Sequence, residues 1–462
     1  MTETLEQAFR SARDWLEGLD ERPVEARAEL AELRARFEGP LPEVGTAPDD
    51  VVSHLVTDTK DGLLGSAGGR FFAWVIGGGL DSALAADWLV STWDQNAALY
   101  GCGPVTAVIE EVAGEWLKEL LDLPREASFA FTTGCQLAHM TGLAAARHAL
   151  LKRDGWDVET QGLFSAPPIT LLANAQRHTS IERAVRFLGL GTRAITPLET
   201  DQSGQILPQA LEHALRGSSG RAILVLNAAD LNVGTCDLFS ELIPMARDAG
   251  MWVHVDGAFG LFARVSRARR YLVEGIEMAD SWATDGHKWL NVPYDCGIAI
   301  IRDREAHKAA MTISASYIEA ESAARDQIDW NPEWSRRARG VPVYAALKEL
   351  GRTGVEALID RCCDHCAALV EGIGALPGAE VLAAPTLNQG LVRFNRPGAT
   401  TEENDAYTDD VMMRINATGE AFFSGTNWNG RQAMRISVVN WRTTAQDVQR
   451  AIAAAASVLS AK

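Results

Sequence analysis

Apolar residues between about residue 76 and residue 345 fall into short continuous runs that alternate with helical patterns. Runs of Val, Ile and Leu separated by helices are typical of a mainly parallel sheet that is covered on both faces. The clearest predicted strands are 127–132, 169–173, 222–226, 252–255 and 297–301. The pattern predicts an α/β fold, with a large domain over residues 76–345.

The segments on either side of this domain have different patterns. The first forty residues show helical spacing, for example at Phe9 and Trp15, and a second helical segment follows Asp49 and Asp50. We predict an N-terminal helical arm over residues 1–75, whose apolar face packs on another domain or another subunit. After residue 345, a long helix, two short strand-like segments and a final helix with a capping box at Thr444 predict a small α+β domain over residues 346–462.

Composition narrows the classes of partner and compartment. The formal net charge of −18 disfavours nucleic acid and anionic membranes as partners. Because the sequence contains no apolar run of membrane-spanning length and no signal-like start, we expect a cytoplasmic protein. The cysteines Cys362, Cys363 and Cys366 lie in a predicted helix without a second Cys/His pair at zinc spacing, so no metal site is predicted.

Two residues suggest the chemistry. Asp256 closes the predicted strand 252–255, and Lys288 follows 32 positions later, after another strand-like run. A pyridoxal 5′-phosphate (PLP) site requires a lysine that forms a Schiff base and an acid that keeps the ring nitrogen protonated. The alternative is a plain buried ion pair between the two residues.

A turn before a helix offers a place for the phosphate group. Gly134, Cys135 and Gln136 lie between the predicted strand 127–132 and the helical run 137–152. Free N–H groups at a helix N-terminus bind anions, and a glycine allows the backbone to approach closely. These residues are therefore candidate phosphate ligands, although such turns are common.

These motifs and their order resemble those of the group II PLP-dependent amino-acid decarboxylases, which have the type I aminotransferase fold. That family includes the aromatic L-amino-acid and glutamate decarboxylases. The matching pieces are Phe71-Phe72-Ala73-Trp74, Gly103-Pro104, Glu110-Glu111, Thr133-Gly134-Cys135, Arg177-His178-Thr179-Ser180, His254-Val255-Asp256-Gly257-Ala258, His287-Lys288-Trp289, Arg435 and Thr443-Thr444. They extend over about residues 40 to 460.

The resemblance implies roles around the cofactor. His178 would stack on one face of the ring, and the small Ala258 would let the ring lie against the other face. His287 would contact the phosphate or orient the Schiff base. Ser335 corresponds to a position that reaches the phosphate of the neighbouring subunit, which implies a homodimer with shared active sites. Without the resemblance, His178 would be interpreted as a histidine making ordinary hydrogen bonds at a turn.

The reaction and the substrate depend on further positions. In similar decarboxylases, a tyrosine at the place of Tyr317 protonates the substrate α-carbon after carbon dioxide leaves, whereas aldehyde-forming relatives carry phenylalanine there. The alternative for Tyr317 is a surface tyrosine in a polar loop. Phe72 and Trp74 correspond to the substrate pocket and favour an aromatic or bulky L-amino acid. Arg435 meets a substrate carboxylate or makes a structural pair.

Three positions depart from the family pattern. Gln136 replaces a serine or threonine at the phosphate turn, Asp230 stands where a hydroxyl is expected, and Gly286 replaces a proline before His287 and Lys288. The prediction is a PLP-dependent decarboxylase that converts an L-amino acid to the amine. Other PLP reactions at the α-carbon (transamination, lyase chemistry or aldehyde synthesis) stay open, as does a catalytically silent scaffold.

Overall fold

The computed structural model of the chain describes residues 2–216, 220–313 and 324–461. Its larger sheet has the strand order β1-β7-β6-β5-β4-β2-β3. The strands of this sheet are β1 (Ser128–Thr132), β2 (Thr170–Asn174), β3 (Ile195–Leu198), β4 (Ala222–Asn227), β5 (Trp252–Asp256), β6 (Ser281–Asp285) and β7 (Gly297–Ile301). Four neighbouring pairs are parallel, and β7 runs antiparallel to both β1 and β6. The mainly parallel α/β architecture is confirmed.

Helices cover both faces of this sheet. All residues of β1, β4, β5, β6 and β7 are buried, which explains why these strands do not alternate regularly between apolar and polar residues. The helices of the chain are α1 (Glu3–Glu17), α2 (Leu30–Phe37), α3 (Pro48–Asp58), α4 (Asp81–Trp93), α5 (Pro104–Leu120), α6 (Cys135–Arg153), α7 (Val158–Gln161), α8 (Thr179–Phe187), α9 (Pro208–Leu215), α10 (Phe239–Asp248), α11 (Arg304–Met311), α12 (Gly340–Gly374), α13 (Thr401–Ala417) and α14 (Ala445–Ser460).

A second, antiparallel sheet follows near the C-terminus. Its order is β10-β11-β9-β8, formed by β8 (Ala379–Ala383), β9 (Gln389–Phe394), β10 (Ser424–Trp428) and β11 (Arg431–Ser437). Thr444 caps α14 in a capping box with Asp447, as the sequence predicts. The helix α12, which kinks at Gly351, packs on α4 and α5 as well as on α14. It crosses residue 345, so the domain boundary stays a prediction. Cys362, Cys363 and Cys366 are buried on this helix.

The N-terminal helices form an arm without a core of its own. No residue of α1, α2 or α3 is buried. The arm is held by polar contacts between α1 and α3, among them the hydrogen bond from Gln7 to Ser53. It leaves apolar side chains exposed, including Leu5 and Leu55. None of the described helices has both the length and the apolar character needed to span a bilayer.

Candidate active site

Strand topology brings the predicted chemical residues to one edge of the large sheet. β5 and β6 are parallel neighbours, and they end at Asp256 and Asp285. Lys288 follows β6 after a short turn, and β4 ends nearby at Asn227. Ligands of open α/β sheets bind outside the carboxyl ends of parallel strands, where these side chains lie.

Lys288 pairs directly with an acid that the sequence prediction did not select. Its Nζ atom lies 3.0 Å from Oδ2 of Asp285. Burial disfavours the charge on Lys288, but the negative charges of Asp285 and Asp256 outweigh it and raise the pKa of the amine above its usual value. The alternative to a cofactor site is a buried ion pair between Asp256 and Lys288. In the structure, Lys288 pairs with Asp285 instead, and Asp256 lines the same cavity.

The Asp256 carboxylate is buried and held on both oxygens. The backbone N–H of Ala258 donates to Oδ1 at 3.2 Å, and Nε2 of His139 lies 3.5 Å from Oδ2. Burial alone would raise the pKa of Asp256, but the charges and hydrogen bonding of His139, His178 and Lys288 lower it below its usual value. Asp256 is therefore ionised at neutral pH, as required of an acid that keeps a pyridine nitrogen protonated.

The Gly134 turn precedes α6, as the sequence predicts. The N–H of Cys135 donates to Oδ1 of Asp285 at 2.6 Å, so this amide already has an acceptor. Nε2 of the next residue, Gln136, is buried without a partner among the described residues. On the other side of the turn, His287 accepts the N–H of Cys296 on Nδ1, so its neutral ring carries the proton on Nε2.

His178 caps α8 and opens into the same cavity. Its Nδ1 accepts the N–H of Ser180 at 3.2 Å, which places the proton of the neutral ring on Nε2. Ala258 lines the cavity too. The structure thus brings His178 and Ala258 to the place where Lys288 and Asp256 meet.

The cavity has a volume of about 540 Å³, which is in the usual range for small-molecule sites. Buried polar atoms rarely lack a hydrogen-bond partner. Here several wall atoms have none among the described residues: Nε2 of Gln136, Oδ1 of Asn227, Oδ2 of Asp230 and Nε of Arg435. A ligand that carries many acceptors and donors, such as PLP with its phosphate and its 3-hydroxyl group, fits this wall.

Not every predicted residue reaches the cavity. Trp74 and Arg435 line it, but Phe72 is fully buried and stacks on Phe423, so the chain does not bring Phe72 to the site. Ser335 is exposed on the segment before α12 and does not line the cavity. Tyr317 lies outside the described residues.

Sequence reasoning missed the cavity residues Asp285, Asn227 and Phe259, and it missed His139 behind Asp256. Asp285 stands three positions before Lys288, a spacing that could have identified it, because a turn there brings the two side chains together. His139 gives no comparable signal, since its distance to Asp256 depends on how α6 packs on the sheet.

Comparisons with known proteins agree with this site. Residues 37–396 match the family described as "Pyridoxal-dependent decarboxylase conserved domain". The aromatic-L-amino-acid decarboxylase of Bacillus atrophaeus is 27% identical over 457 residues, which cover 96% of this chain and 92% of the relative. The L-2,4-diaminobutyrate decarboxylase of Rhizobium meliloti (strain 1021) is 28% identical over 380 residues, covering 80% and 73%.

Among solved structures, Oryza sativa TDC with PLP and tryptamine has a TM-score of 0.91 at 21% identity, covering 99% of this chain and 97% of that chain. At this identity the likeness establishes the fold alone. The family match covers most of the sequence and agrees with the residues that meet at the edge of the sheet. The chain therefore belongs to the pyridoxal-dependent decarboxylase family and is a PLP-dependent amino-acid decarboxylase.

Proposed function

We propose that this enzyme decarboxylates a bulky L-amino acid, preferably an aromatic one, to the corresponding amine, with Lys288 as the residue that binds the cofactor aldehyde. The observation that carries the proposal is the meeting of Lys288, Asp256 and His178 in one cavity at the carboxyl edge of the sheet. Bound PLP supplies an electron-accepting ring that stabilises negative charge on the substrate α-carbon.

Asp285 positions the Lys288 amine in the cavity, with Oδ2 3.0 Å from Nζ. This contact stabilises the ammonium form, so the amine would have to give up its proton before it attacks the cofactor aldehyde. Asp256, ionised and held on both oxygens, would keep the ring nitrogen protonated. His178 and Ala258 would contact the two faces of the ring.

The phosphate would lie at the Gly134 turn. Since Asp285 already accepts the Cys135 amide, the support for phosphate binding comes mainly from Gln136 and His287. Nε2 of Gln136 has no partner in the part of the chain that the structure describes, and the neutral His287 ring carries a proton on Nε2. The Gln136 amide is in the first turn of α6, where N–H groups have no intrahelical acceptor. Gln136 would therefore replace the lost hydroxyl contact with an amide contact.

The far wall of the cavity favours a large substrate with a polar group. Trp74 and Phe259 offer aromatic surface, whereas Asp230 and Arg435 offer charge. Burial raises the pKa of Asp230 and lowers the pKa of Arg435, and each side chain has an atom without a partner among the described residues. We assign Arg435 to a substrate carboxylate, with Trp74 packing on the substrate side chain.

The decisive experiment compares the wild-type enzyme with Lys288→Ala on a panel of L-amino acids, which includes aromatic, acidic and diamino substrates. Products are identified by mass spectrometry. We expect carbon dioxide and amine from wild type, and loss of the borohydride-reducible cofactor bond in the variant. Undiminished decarboxylation by Lys288→Ala, or keto acid as the main product, would contradict the proposal.

We also propose that Tyr317 delivers the proton to the α-carbon. Without a proton donor, the α-carbon would react with dioxygen, and one water would be consumed as carbon dioxide, aldehyde, ammonia and hydrogen peroxide are released. Tyr317→Phe should therefore consume oxygen and form aldehyde. Tyr294→Phe is the matched control, because the Tyr294 ring packs at a tilt against His287 beside the site. Aldehyde formation by Tyr294→Phe but not by Tyr317→Phe would indicate that Tyr294, not Tyr317, is the proton donor.

A homodimer in the cytoplasm completes the proposal. The arm exposes Leu5, Phe9 and Leu55, and Leu55 lines a groove of about 750 Å³ that extends to His287. A second copy of the chain would cover this apolar surface and bring its Ser335 toward the phosphate. Leu55→Arg should lower the mass measured by light scattering and reduce activity, whereas Thr57→Arg, an exposed neighbour on α3, should do neither. A monomeric wild type would refute the dimer.

A further inference from the structure

A row of buried polar side chains lies behind Asp256, between α6 and the sheet. Nδ1 of His139 lies 2.9 Å from Nε2 of His254, whose Nδ1 lies 2.8 Å from Oγ of Ser281. Nε1 of Trp252 donates to the same hydroxyl at 2.9 Å. All four of these side chains are almost completely buried. Burying polar groups costs free energy unless they are hydrogen-bonded. The hydrogen bonds within this row therefore stabilise the four side chains in their buried positions.

The residues at the two ends of this row, Trp252 and Asp256, limit which atoms can donate a hydrogen bond. Trp252 can only donate, and the ionised Asp256 can only accept. Nε2 of His139 therefore carries a proton that points toward Oδ2 of Asp256 at 3.5 Å and toward Sγ of Cys135 at 3.3 Å. If His139 is neutral, its Nδ1 accepts from His254. If His139 is charged, its Nδ1–H donates to Nε2 of His254 instead, and its Nε2–H still faces Asp256.

The packing of α6 makes room for this row. A Cβ atom on Gly142 would lie 3.0 Å from Nδ1 and Cε1 of His254, closer than ordinary contacts allow. Glycine at this position lets the His254 ring lie against the helix that carries His139. Burial lowers the pKa of His254 to about 3, so this ring is neutral at working pH and supports His139 without adding charge.

We propose that His139 is a positioning residue of the decarboxylase: it holds Oδ2 of Asp256 while the Ala258 amide holds Oδ1. Together the two donors fix the plane of the carboxylate and favour its ionised form. The inference rests on the proposed role of Asp256 toward the cofactor ring nitrogen. Loss of the His139 donor would then reduce protonation of that nitrogen, although His139 does not itself contact the cavity.

The test uses holoenzyme loaded with PLP that is labelled with nitrogen-15 in the ring. Wild type and Asp256→Asn are compared first: the wild type should give a pyridinium chemical shift, and Asp256→Asn a pyridine-like shift. A pyridine-like nitrogen-15 chemical shift in the wild-type enzyme would refute the role of Asp256 itself. The two hypotheses can thus fail separately.

The variants of His139 decide the new proposal. His139→Leu removes the donor and should move the shift toward pyridine, with kcat lowered by about tenfold or more and a much smaller change in KM. His139→Gln keeps an N–H near the Nε2 position and should largely restore both readings. A His139→Leu holoenzyme with the wild-type shift would overturn the proposal.

The proposal can still be tested if His139→Leu does not fold properly or does not bind PLP. If His139→Leu fails to bind PLP, His139→Asn is measured instead, because its shorter side chain is polar but its donor does not reach Asp256. A wild-type shift in His139→Asn would overturn the inference. Ser281→Ala breaks the far end of the row and leaves the His139 donor in place, so it should change the shift less than His139→Leu does.

Discussion

The two oxygens of Asp256 have different polar neighbours: the N–H of Ala258 donates to Oδ1, and Nε2 of His139 lies 3.5 Å from Oδ2. This arrangement lowers the pKa of a carboxyl that burial alone would raise. At the residue scale, the chemistry of Asp256 thus depends on Ala258, which is near in sequence, and on His139, which is distant. The charge of Lys288 is likewise balanced by Asp285, three positions before it, and by the more distant Asp256.

We expect Asp256→Asn to retain the cofactor on Lys288 but to lower kcat about a hundredfold or more, because the amide cannot stabilise a protonated ring nitrogen. Steady-state kinetics and the absorption of the bound cofactor measure the two effects. Asp280→Asn, a substitution of a carboxyl at the opposite edge of the sheet, beside the start of β5, should leave kcat within about twofold of wild type. Equal rates for wild type and Asp256→Asn would contradict the role of Asp256.

Gly286 departs from the proline of the family pattern for a steric reason. A Cβ atom at this position would lie 2.9 Å from Sγ of Cys296 and 3.2 Å from Cγ2 of Val292. Gly286→Ala should therefore destabilise the protein by about 1–3 kcal/mol and weaken PLP binding, because the turn carries His287 and Lys288. Urea unfolding and cofactor titration measure these changes.

Cys296→Ala provides the matched test of that clash. Removing Sγ clears the closest contact, so the double variant Gly286→Ala/Cys296→Ala should be more stable than the sum of the two single changes implies. Strict additivity of the two substitutions would show that overlap with Cys296 is not the cause.

At the scale of the element, the C-terminal helix α14 begins at a capping box. Oγ1 of Thr444 accepts the N–H of Asp447, and Oδ2 of Asp447 accepts the N–H of Thr444. Thr444→Ala should lower the free energy of unfolding by about 1 kcal/mol. Thr401→Ala, an exposed position inside the first turn of α13, is the control and should change it by less than about 0.5 kcal/mol. Equal losses in the two variants would argue against the cap.

For the whole molecule, two buried histidines contribute to the response to acid. Burial lowers the pKa of both His254 and His307 to about 3. The unfolded chain binds a proton on each of them below about pH 6.5, but the folded chain does so only near pH 3. Acidification between these values therefore favours unfolding, by up to about 1.4 kcal/mol per pH unit for each histidine.

The prediction is checked on the apoprotein, so that cofactor binding does not contribute. The thermal midpoint of wild type should fall steadily from about pH 6.5 toward pH 4. His307→Gln, which cannot titrate, should show a shallower fall over the same range, even if it is less stable at neutral pH. Parallel curves for the two proteins would contradict a neutral buried His307.

The sequence by itself determined the fold class and the main chemistry of this protein. Apolar runs that alternate with helices predict a covered parallel sheet, because only helices on both faces can bury such strands. Asp256, Lys288 and the Gly134 turn follow from strand ends, since the carboxyl ends of parallel strands meet at one edge of the sheet. These inferences need only local pattern and topology, which a single sequence carries.

Only the tertiary structure decided which side chains reach one another. Phe72 lies beside Trp74 in sequence, yet it packs on Phe423 in the core while Trp74 lines the cavity. Asp285, not Asp256, contacts the Lys288 amine, and His139 meets Asp256 from a separate helix. The physical reason is that such contacts depend on the directions of the side chains and on how the elements pack. Arrangements that share one sequence pattern differ in these atomic positions by only a few ångströms, which the pattern does not determine.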